Sequence, residues 1–450
     1  MKNTEKILSL AGVKKNFGKR GFFGTKGALR ALVGVNLDIM RGEVLSVVGE
    51  SGSGKSTLGR CILDLYKPDG GSILYYGRSV HELSPRYAYD LLQRAERISV
   101  GIKRRTASAE TDFTDDEMAL LRLLGGFAVT DDVRLYSGLV RERMTLLSRL
   151  YTGGNPTEEL TRVERALIYG ERKHRQDPGF AVCHRYLDSG VELNRLTRSE
   201  RRELTSDIGI VFQDPYSSLN PRMTAGELVA EGALTHGMFK RGTRELQRYV
   251  AEVARETGLD PALLSRFPHQ FSGGQRQRIC IARALAIKPR FLVLDECISA
   301  LDVSVGAQII SLLLDLKEKE KLTYLFISHD LSVVRYISDR VAVMYLGRIV
   351  ETGYASDIFE DPRHPYTVAL LSSVPTAEGE ADRVILEGTP PSPTSPPSGC
   401  PFHTRCPLAT DICKTTLPEY REAGEGHTFL CHFPGKKQAK GGKIVLYEGE

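Results

Sequence analysis

Gly49-Glu50-Ser51-Gly52-Ser53-Gly54-Lys55-Ser56-Thr57 is the stretch from which the rest of the chain is read. It follows an apolar run of strand type, Val44-Leu45-Ser46-Val47-Val48, and precedes the helix-compatible run Leu58-Gly59-Arg60-Cys61-Ile62-Leu63. Strand, glycine loop and helix form the context in which Gly-x-x-x-x-Gly-Lys-Ser/Thr cradles phosphate. Gly49, Gly52 and Gly54 let the backbone wind tightly and turn its N–H groups inward. The N-terminus of the following helix brings a positive dipole end to the same place. In this reading Lys55 reaches the β- and γ-phosphates of a nucleotide, and the Ser56 hydroxyl ligates Mg²⁺. The plainer alternative is a glycine-rich turn. The Lys-Ser pair with both flanks in place argues against it.

The chain has 450 residues, more than one average domain, so a large domain with appendages is expected. With 41% apolar and 26% charged residues it can build a globular core. A net charge of +5 is too mild to argue for nucleic acid. No run approaches the roughly 18 apolar residues of a membrane span. Met1 to Lys6 leads into no apolar segment of signal type. The expectation is a cytosolic protein whose membrane work needs a spanning partner. Cys61, Cys183, Cys280 and Cys297 are scattered and read as small core residues. Cys400, Cys406, Cys413 and Cys431 crowd near the C-terminus and need a separate account.

Taken in order, residues 5 to 45 are β-rich, with strand-like spacing at Ile7–Leu10 and Leu32–Ile39 around a Gly- and Lys-rich loop at 18–28. Phe17, at the start of that loop, suits core packing on its own; upstream of a phosphate loop it suits stacking on adenine. Pro68-Asp69-Gly70-Gly71 is a turn signal, and a strand follows at 72–76. Residues 84–205 change character. Helical apolar spacing at 86–105, 115–125, 132–150 and 156–174, with charges of both signs, describes a mostly helical insert broken at Gly153-Gly154-Asn155-Pro156. Its basic clusters, Lys103-Arg104-Arg105 and Lys173-His174-Arg175, fit a solvated face better than a site for an anionic partner.

Strand language returns at Ile208–Phe212, followed by Gln213, and a helical stretch spans 224–257. Ser272-Gly273-Gly274-Gln275 opens a helix and presents N–H groups at its N-terminus. Phe291-Leu292-Val293-Leu294 is a buried-type strand ending in Asp295-Glu296. There Asp295 suits Mg²⁺, and Glu296 suits polarising an attacking water. Ser299-Ala300-Leu301-Asp302 leads into a helix at 303–320, then a strand at 323–327 and Ser328-His329-Asp330. A histidine just past a strand end can reach a γ-phosphate in an α/β fold.

Together these residues resemble the ATP-binding subunit of an ABC transporter, over nearly all of residues 5–435 apart from the insert. In that resemblance Walker A is Gly49–Ser56, followed by Thr57. The Q-loop glutamine is Gln213, and the signature Ser272-Gly273-Gly274-Gln275 serves a partner's ATP. Walker B ends at Asp295 beside the catalytic Glu296, the D-loop is Ser299–Asp302, and His329 is the switch histidine. Ser51, Ser53 and Phe17 fall among the nucleotide-binding positions, and Ser56, Gln213 and Asp295 at the Mg²⁺. Walker A alone admits many NTPases; Ser-Gly-Gly-Gln ahead of Walker B at this spacing is specific to the ABC class. Phe212 to Thr224 and Arg363-His364-Pro365-Tyr366-Thr367 are similar to the oligopeptide and dipeptide importers. Gln275–Ile279 and Ile298–Val303 look more like the F-type ATPase than the D-type. Cys297 departs from the proline usual there, which puts the rigidity of that turn in doubt.

The resemblance implies an α/β fold: a RecA-like core with an antiparallel β subdomain and a helical subdomain, the helical insert, and a small Cys-rich C-terminal region. The expected divisions are 1–83, 84–205, 206–355, 356–435 and a mobile tail at 436–450. It implies ATP and Mg²⁺ as ligands and a peripheral place on the cytoplasmic face of the membrane. The implied partners are a second, D-type ATPase, two permeases and an extracytoplasmic binding protein, with no nucleic acid. Peptide import is the expected function. A related importer for nickel or another small solute is the alternative, and an ABC-type DNA-repair or chromosome ATPase a more distant one.

The C-terminal cysteines have the form Cys-x₅-Cys-x₆-Cys-x₁₇-Cys. Four thiolates in a short segment can hold zinc or an iron–sulfur cluster, and this spacing matches neither the usual zinc pair nor ferredoxin runs. Some peptide-importer ATPases carry a four-iron cluster in this region. On that resemblance [4Fe–4S] ranks ahead of zinc, and zinc ahead of free thiols. Pro390 to Pro397 reads as a linker into the region.

Overall fold

The computed structural model describes residues 5–18, 28–373, 384–437 and 444–446. Most of the Gly- and Lys-rich loop expected at 18–28 lies outside the described residues. The chain forms two compact units, Ser72–Glu203 and the remainder.

The larger unit is built on an eight-stranded sheet. In spatial order its strands are Tyr420–Gly424, His427–Leu430, Arg348–Tyr354, Arg340–Tyr345, Val44–Val48, Thr323–Ile327, Phe291–Asp295 and Ile208–Val211. The last five run parallel. Val44–Val48, Phe291–Asp295 and Thr323–Ile327 are buried at every position. Their near-continuous apolar sequences suit a sheet covered on both faces. Register aligns Val47 with Ile327 and Asp295 with Ile327, so these strands end together. The residues that follow them emerge at one sheet edge, where parallel α/β sheets bind ligands.

Helices Ala225–Thr235, Arg244–Glu256 and Gly273–Leu285 share the core with this sheet through Val229, Val250, Val253 and Ile281. The single helical stretch expected at 224–257 is thus two helices, with Gly237 and Gly242 between them. Each half opens on its own N-cap, Thr224 accepting from Glu227 N and Thr243 from Leu246 N.

The C-terminal region is continuous with the main sheet. Glu351, fully buried on an inner strand, accepts hydrogen bonds from Arg363 N (2.7 Å) and His364 N (2.9 Å) and pairs with His427 Nε2 at 2.8 Å. This carboxylate anchors the Arg363–Thr367 motif and the strand His427–Leu430 to the same point. Burial pushes the His364 imidazole down to about 3. Of the tail expected to be mobile from Lys436, residues 438–443 and 447–450 lie outside the described residues. Gly435–Lys437 pairs antiparallel with Ile444–Leu446, and Ile444 is buried against Val368 and Ala369. An apolar residue that finds such a site holds its strand down.

The unit Ser72–Glu203 begins before the expected boundary at 84, because Leu74 and Tyr75 pair with Glu192 and Val191 in a short antiparallel ladder. Its helices include Arg86–Gln93, Ala95–Ala107, Asp115–Leu124, Val133–Tyr151 and Thr157–His174. Leu120, Leu121, Leu124, Ile102 and Met144 are buried, and Phe127 stacks on Tyr136 at 4.0 Å between centroids. A Thr114–Glu117 capping box starts one helix. Lys103 pairs with Asp131 and Lys173 with Asp132, as on a solvated face.

Candidate functional site

Gly49–Gly54 leaves the buried strand Val44–Val48 and enters the helix Lys55–Ile62. A side chain at Gly49 would meet the Met344 carbonyl, and one at Gly54, with φ +106°, the Ala31 carbonyl. Only glycine fits either position. Lys55 is buried, and its ammonium donates to Gly49 O (2.8 Å) and Glu50 O (3.0 Å). Burial lowers its pKa, against the pull of Glu296, Asp295 and Glu50. The Ser53 hydroxyl is buried with no partner among the described residues, while Ser51 and Gly52 are exposed. A narrow turn, a buried cation and an unpartnered hydroxyl fit a phosphate chain.

Ser56 donates to Asp295 Oδ1 at 2.7 Å, so two of the three expected metal contacts meet across 239 residues of sequence. Burial raises the Asp295 pKa; the Ser56 hydrogen bond, Arg60 and Lys55 oppose this, and Glu296 adds to it. Gln213 Nε2 donates to Glu296 Oε2 at 2.7 Å, and His329 Nδ1 lies 3.5 Å from the same oxygen. Glu296 has a backbone φ of +47°. Its N–H donates to Ile327 O at 2.9 Å, which holds this disfavoured conformation at the sheet edge. Cys297 is a core residue, its thiol pushed up to about 12 by burial.

Other expected positions lie apart from this group. Ser272 and Gln275 form a capping box at the head of the helix Gly273–Leu285. Among the described residues no hydrogen bond or ion pair joins Ser272–Gln275 to Gly49–Thr57. Asp302 is exposed at the start of the helix Val303–Glu320, and neighbouring Val303 is 92% exposed. Phe17 is half-buried and meets Tyr66 edge-on at 5.1 Å.

Cys400, Cys406, Cys413 and Cys431 line one small cavity with Pro365, Phe402, Leu408 and Phe433. All four are free thiols. Burial raises the Cys400 thiol and pushes Cys406 up to about 12. Burial also raises Cys431, and the other three thiols add to it. Among the described residues, no group of three or more His, Cys, Asp or Glu is set to hold a metal ion.

Three further contacts were not foreseen from the sequence. The Arg276 guanidinium lies 3.7 Å over the Tyr216 ring, and Arg283 donates to Ser218 O at 2.7 Å, so the segment after Gln213 rides on the helix Gly273–Leu285. Arg405, between two of the clustered cysteines, pairs with Glu50 inside the phosphate loop at 3.0 Å. Its signal was a lone arginine set between two of the clustered cysteines.

The fold and this grouping of residues define an ATP-binding protein of the ABC class. A model of the ABC transporter family matches residues 32–119 and 185–299, and one described as the oligopeptide/dipeptide transporter C-terminal region matches residues 350–413. The oligopeptide transport ATP-binding protein AppF of Bacillus subtilis (strain 168) is 37% identical over 436 residues, 96% of this chain and 98% of that protein. A putative peptide import ATP-binding protein of Brucella ovis is 36% identical over 427 residues, 94% of this chain and 97% of its own length. Among solved structures, cbiO1 from Clostridium perfringens, part of the ABC transporter complex cbiONQ, aligns with a TM-score of 0.47 and 22% identity. It covers 79% of this chain and 92% of that one. The chain belongs to the ATP-binding proteins of the oligopeptide/dipeptide ABC transporter family.

Proposed function

We propose that the chain hydrolyses ATP to power import of di- and oligopeptides through partner permeases. The observation that carries this reading is the convergence of Ser56, Asp295, Gln213, Glu296 and His329 at one sheet edge. It occurs in a chain alignable over 96% of its length with an oligopeptide transport protein.

Lys55 and the N–H groups of the loop bind the β- and γ-phosphates, and Phe17 offers a face to adenine. Ser56, Asp295 and Gln213 hold Mg²⁺, which when bound neutralises charge on the phosphates. Glu296 orients the attacking water and takes its proton, while His329 contacts the γ-phosphate. Ser272–Gln275 and Asp302 face outward to complete the ATP site of a second, D-type ATPase, whose signature completes this one. Gln213 reports nucleotide state through the segment stacked on Arg276. A groove of about 610 Å³, lined by Met223, Ala230, Leu234, Leu246 and Val250, takes a permease helix. No described helix is long and apolar enough to cross a membrane. In this reading, which rests on the likeness to peptide import ATP-binding proteins, the chain works from the cytoplasmic face through two permeases, supplied by an extracytoplasmic binding protein.

The four C-terminal thiols hold a [4Fe–4S] cluster, with zinc as the alternative. What supports this is that all four line one cavity as free thiols, and that burial opposes ionisation of Cys400, Cys406 and Cys431, a state that a bound cation relieves. Such a centre supplies a staple for a segment with little core of its own. Anaerobic purification with iron, sulfide and zinc analysis tests it: one zinc and no iron per chain overturns the cluster.

Affinity purification of the full chain from membranes tests the main reading. Two permeases and a second ATPase are the expected companions. ATP turnover stimulated by DNA, with no permease recovered, contradicts it.

A further inference from the structure

We propose that Arg405 is a positioning residue of the ATP site, neutralising Glu50 so that the phosphate loop meets polyphosphate without a free carboxylate. The proposal rests on the reading of Gly49–Thr57 as the ATP-binding loop.

Glu50 is the second residue of that loop, and an acid there is a liability for a polyanionic ligand. Each of its polar groups is engaged. The carbonyl accepts from Lys55 Nζ at 3.0 Å and from Ser53 N at 3.2 Å. The N–H donates to the Tyr366 hydroxyl at 2.9 Å. The carboxylate receives Arg405 Nη1 on both oxygens, at 3.1 and 3.0 Å. Two of these four partners, Tyr366 and Arg405, therefore come from beyond residue 360. The Arg405 side chain is only 8% exposed and that of Glu50 29%, so solvent screens the pair far less than a surface ion pair.

Aromatic packing fixes the arginine. Phe402, between Cys400 and Cys406, sits 5.5 Å from Tyr366 and 5.4 Å from Tyr345. The segment that carries the thiols thus holds the guanidinium against the loop. Without Arg405, the Glu50 charge is left beside the phosphates and also draws on Lys55, whose ammonium already bonds the Glu50 carbonyl. Both effects weaken ATP more than ADP, because the extra phosphate adds charge at the Lys55 end.

The test is nucleotide titration of the full chain with Mg²⁺, using ADP and a non-hydrolysable ATP analogue. Circular dichroism and thermal melting check the fold of each variant. Arg405→Ala is expected to weaken the analogue roughly tenfold, the size of one displaced charge contact, and ADP less. Arg405→Lys keeps most of the affinity, and Glu50→Gln is titrated as the reference for the double variant. The double variant Arg405→Ala/Glu50→Gln returns to the affinity of Glu50→Gln, a rescue that a merely structural arginine does not allow. If Arg405→Ala fails to fold, Arg405→Gln, which keeps a donor without the charge, takes its place. Wild-type affinity in that uncharged variant, or a double variant as weak as the arginine single, overturns the proposal. Should the wild-type chain bind neither nucleotide, the ATP-site reading itself fails, and the proposal with it.

Discussion

Glu296 holds a left-handed backbone conformation that costs a non-glycine residue about 1–3 kcal/mol and is kept where the site needs it. The twist sets its carboxylate against Gln213 and His329. Glu296→Gln keeps the shape and removes the carboxylate proposed as the base. The expectation is a fall in ATP turnover of roughly 100-fold or more with nucleotide binding retained, trapping ATP-bound dimers. Turnover and ATP binding of the variant check this, and wild-type turnover contradicts the role. Each of these residues was legible because each follows a strand or opens a helix inside a short local motif. The Glu50–Arg405 pair was not, because 355 residues separate its members and neither stands in a pattern that names the other. Cys297, where proline was expected, lies in the core.

At the scale of elements, periodicity located most helices and the buried strands, since helical spacing and continuous apolar runs are local signals. What escaped was decided by long-range contact. The stretch at 224–257 divides at its glycines, and the strand Ile444–Leu446 is placed by the burial of Ile444. Glu351 was invisible as an anchor, because a lone acid in a strand reads as surface until its partners are known. With its carboxylate removed, two N–H groups and His427 are left buried and unpaired. Glu351→Ala is therefore expected to destabilise the larger unit by about 3 kcal/mol or more, measured by denaturant unfolding. A loss within experimental error means that the Arg363–Thr367 motif is held by other contacts.

Across the whole molecule, stability should fall on mild acidification. Burial depresses His364 to about 3 in the larger unit; in the insert unit, burial together with Arg143 depresses His81 to about 4. The unfolded chain takes up these protons near pH 6.5 while the folded units refuse them, so stability is complete above about pH 6.5 and declines as pH drops toward 4. Each histidine contributes a loss of about 2 kcal/mol between pH 7 and pH 5, read from denaturant melts at the two values. Constant or rising stability contradicts the burial of these rings as neutral groups. The two-unit division was legible only as a change of character near residue 84. The compact unit starts at Ser72, where the strand finds a partner more than a hundred residues on.

The central claim is that ATP hydrolysis by this chain drives peptide import. Uptake of labelled di- and oligopeptides by cells carrying the chain intact, deleted or as Glu296→Gln tests it most directly. The account predicts uptake with the intact chain and its loss in both other strains, with the variant protein present at normal levels. Peptide uptake that persists with Glu296→Gln as the sole copy, or a loss confined to nickel or another small solute, contradicts it.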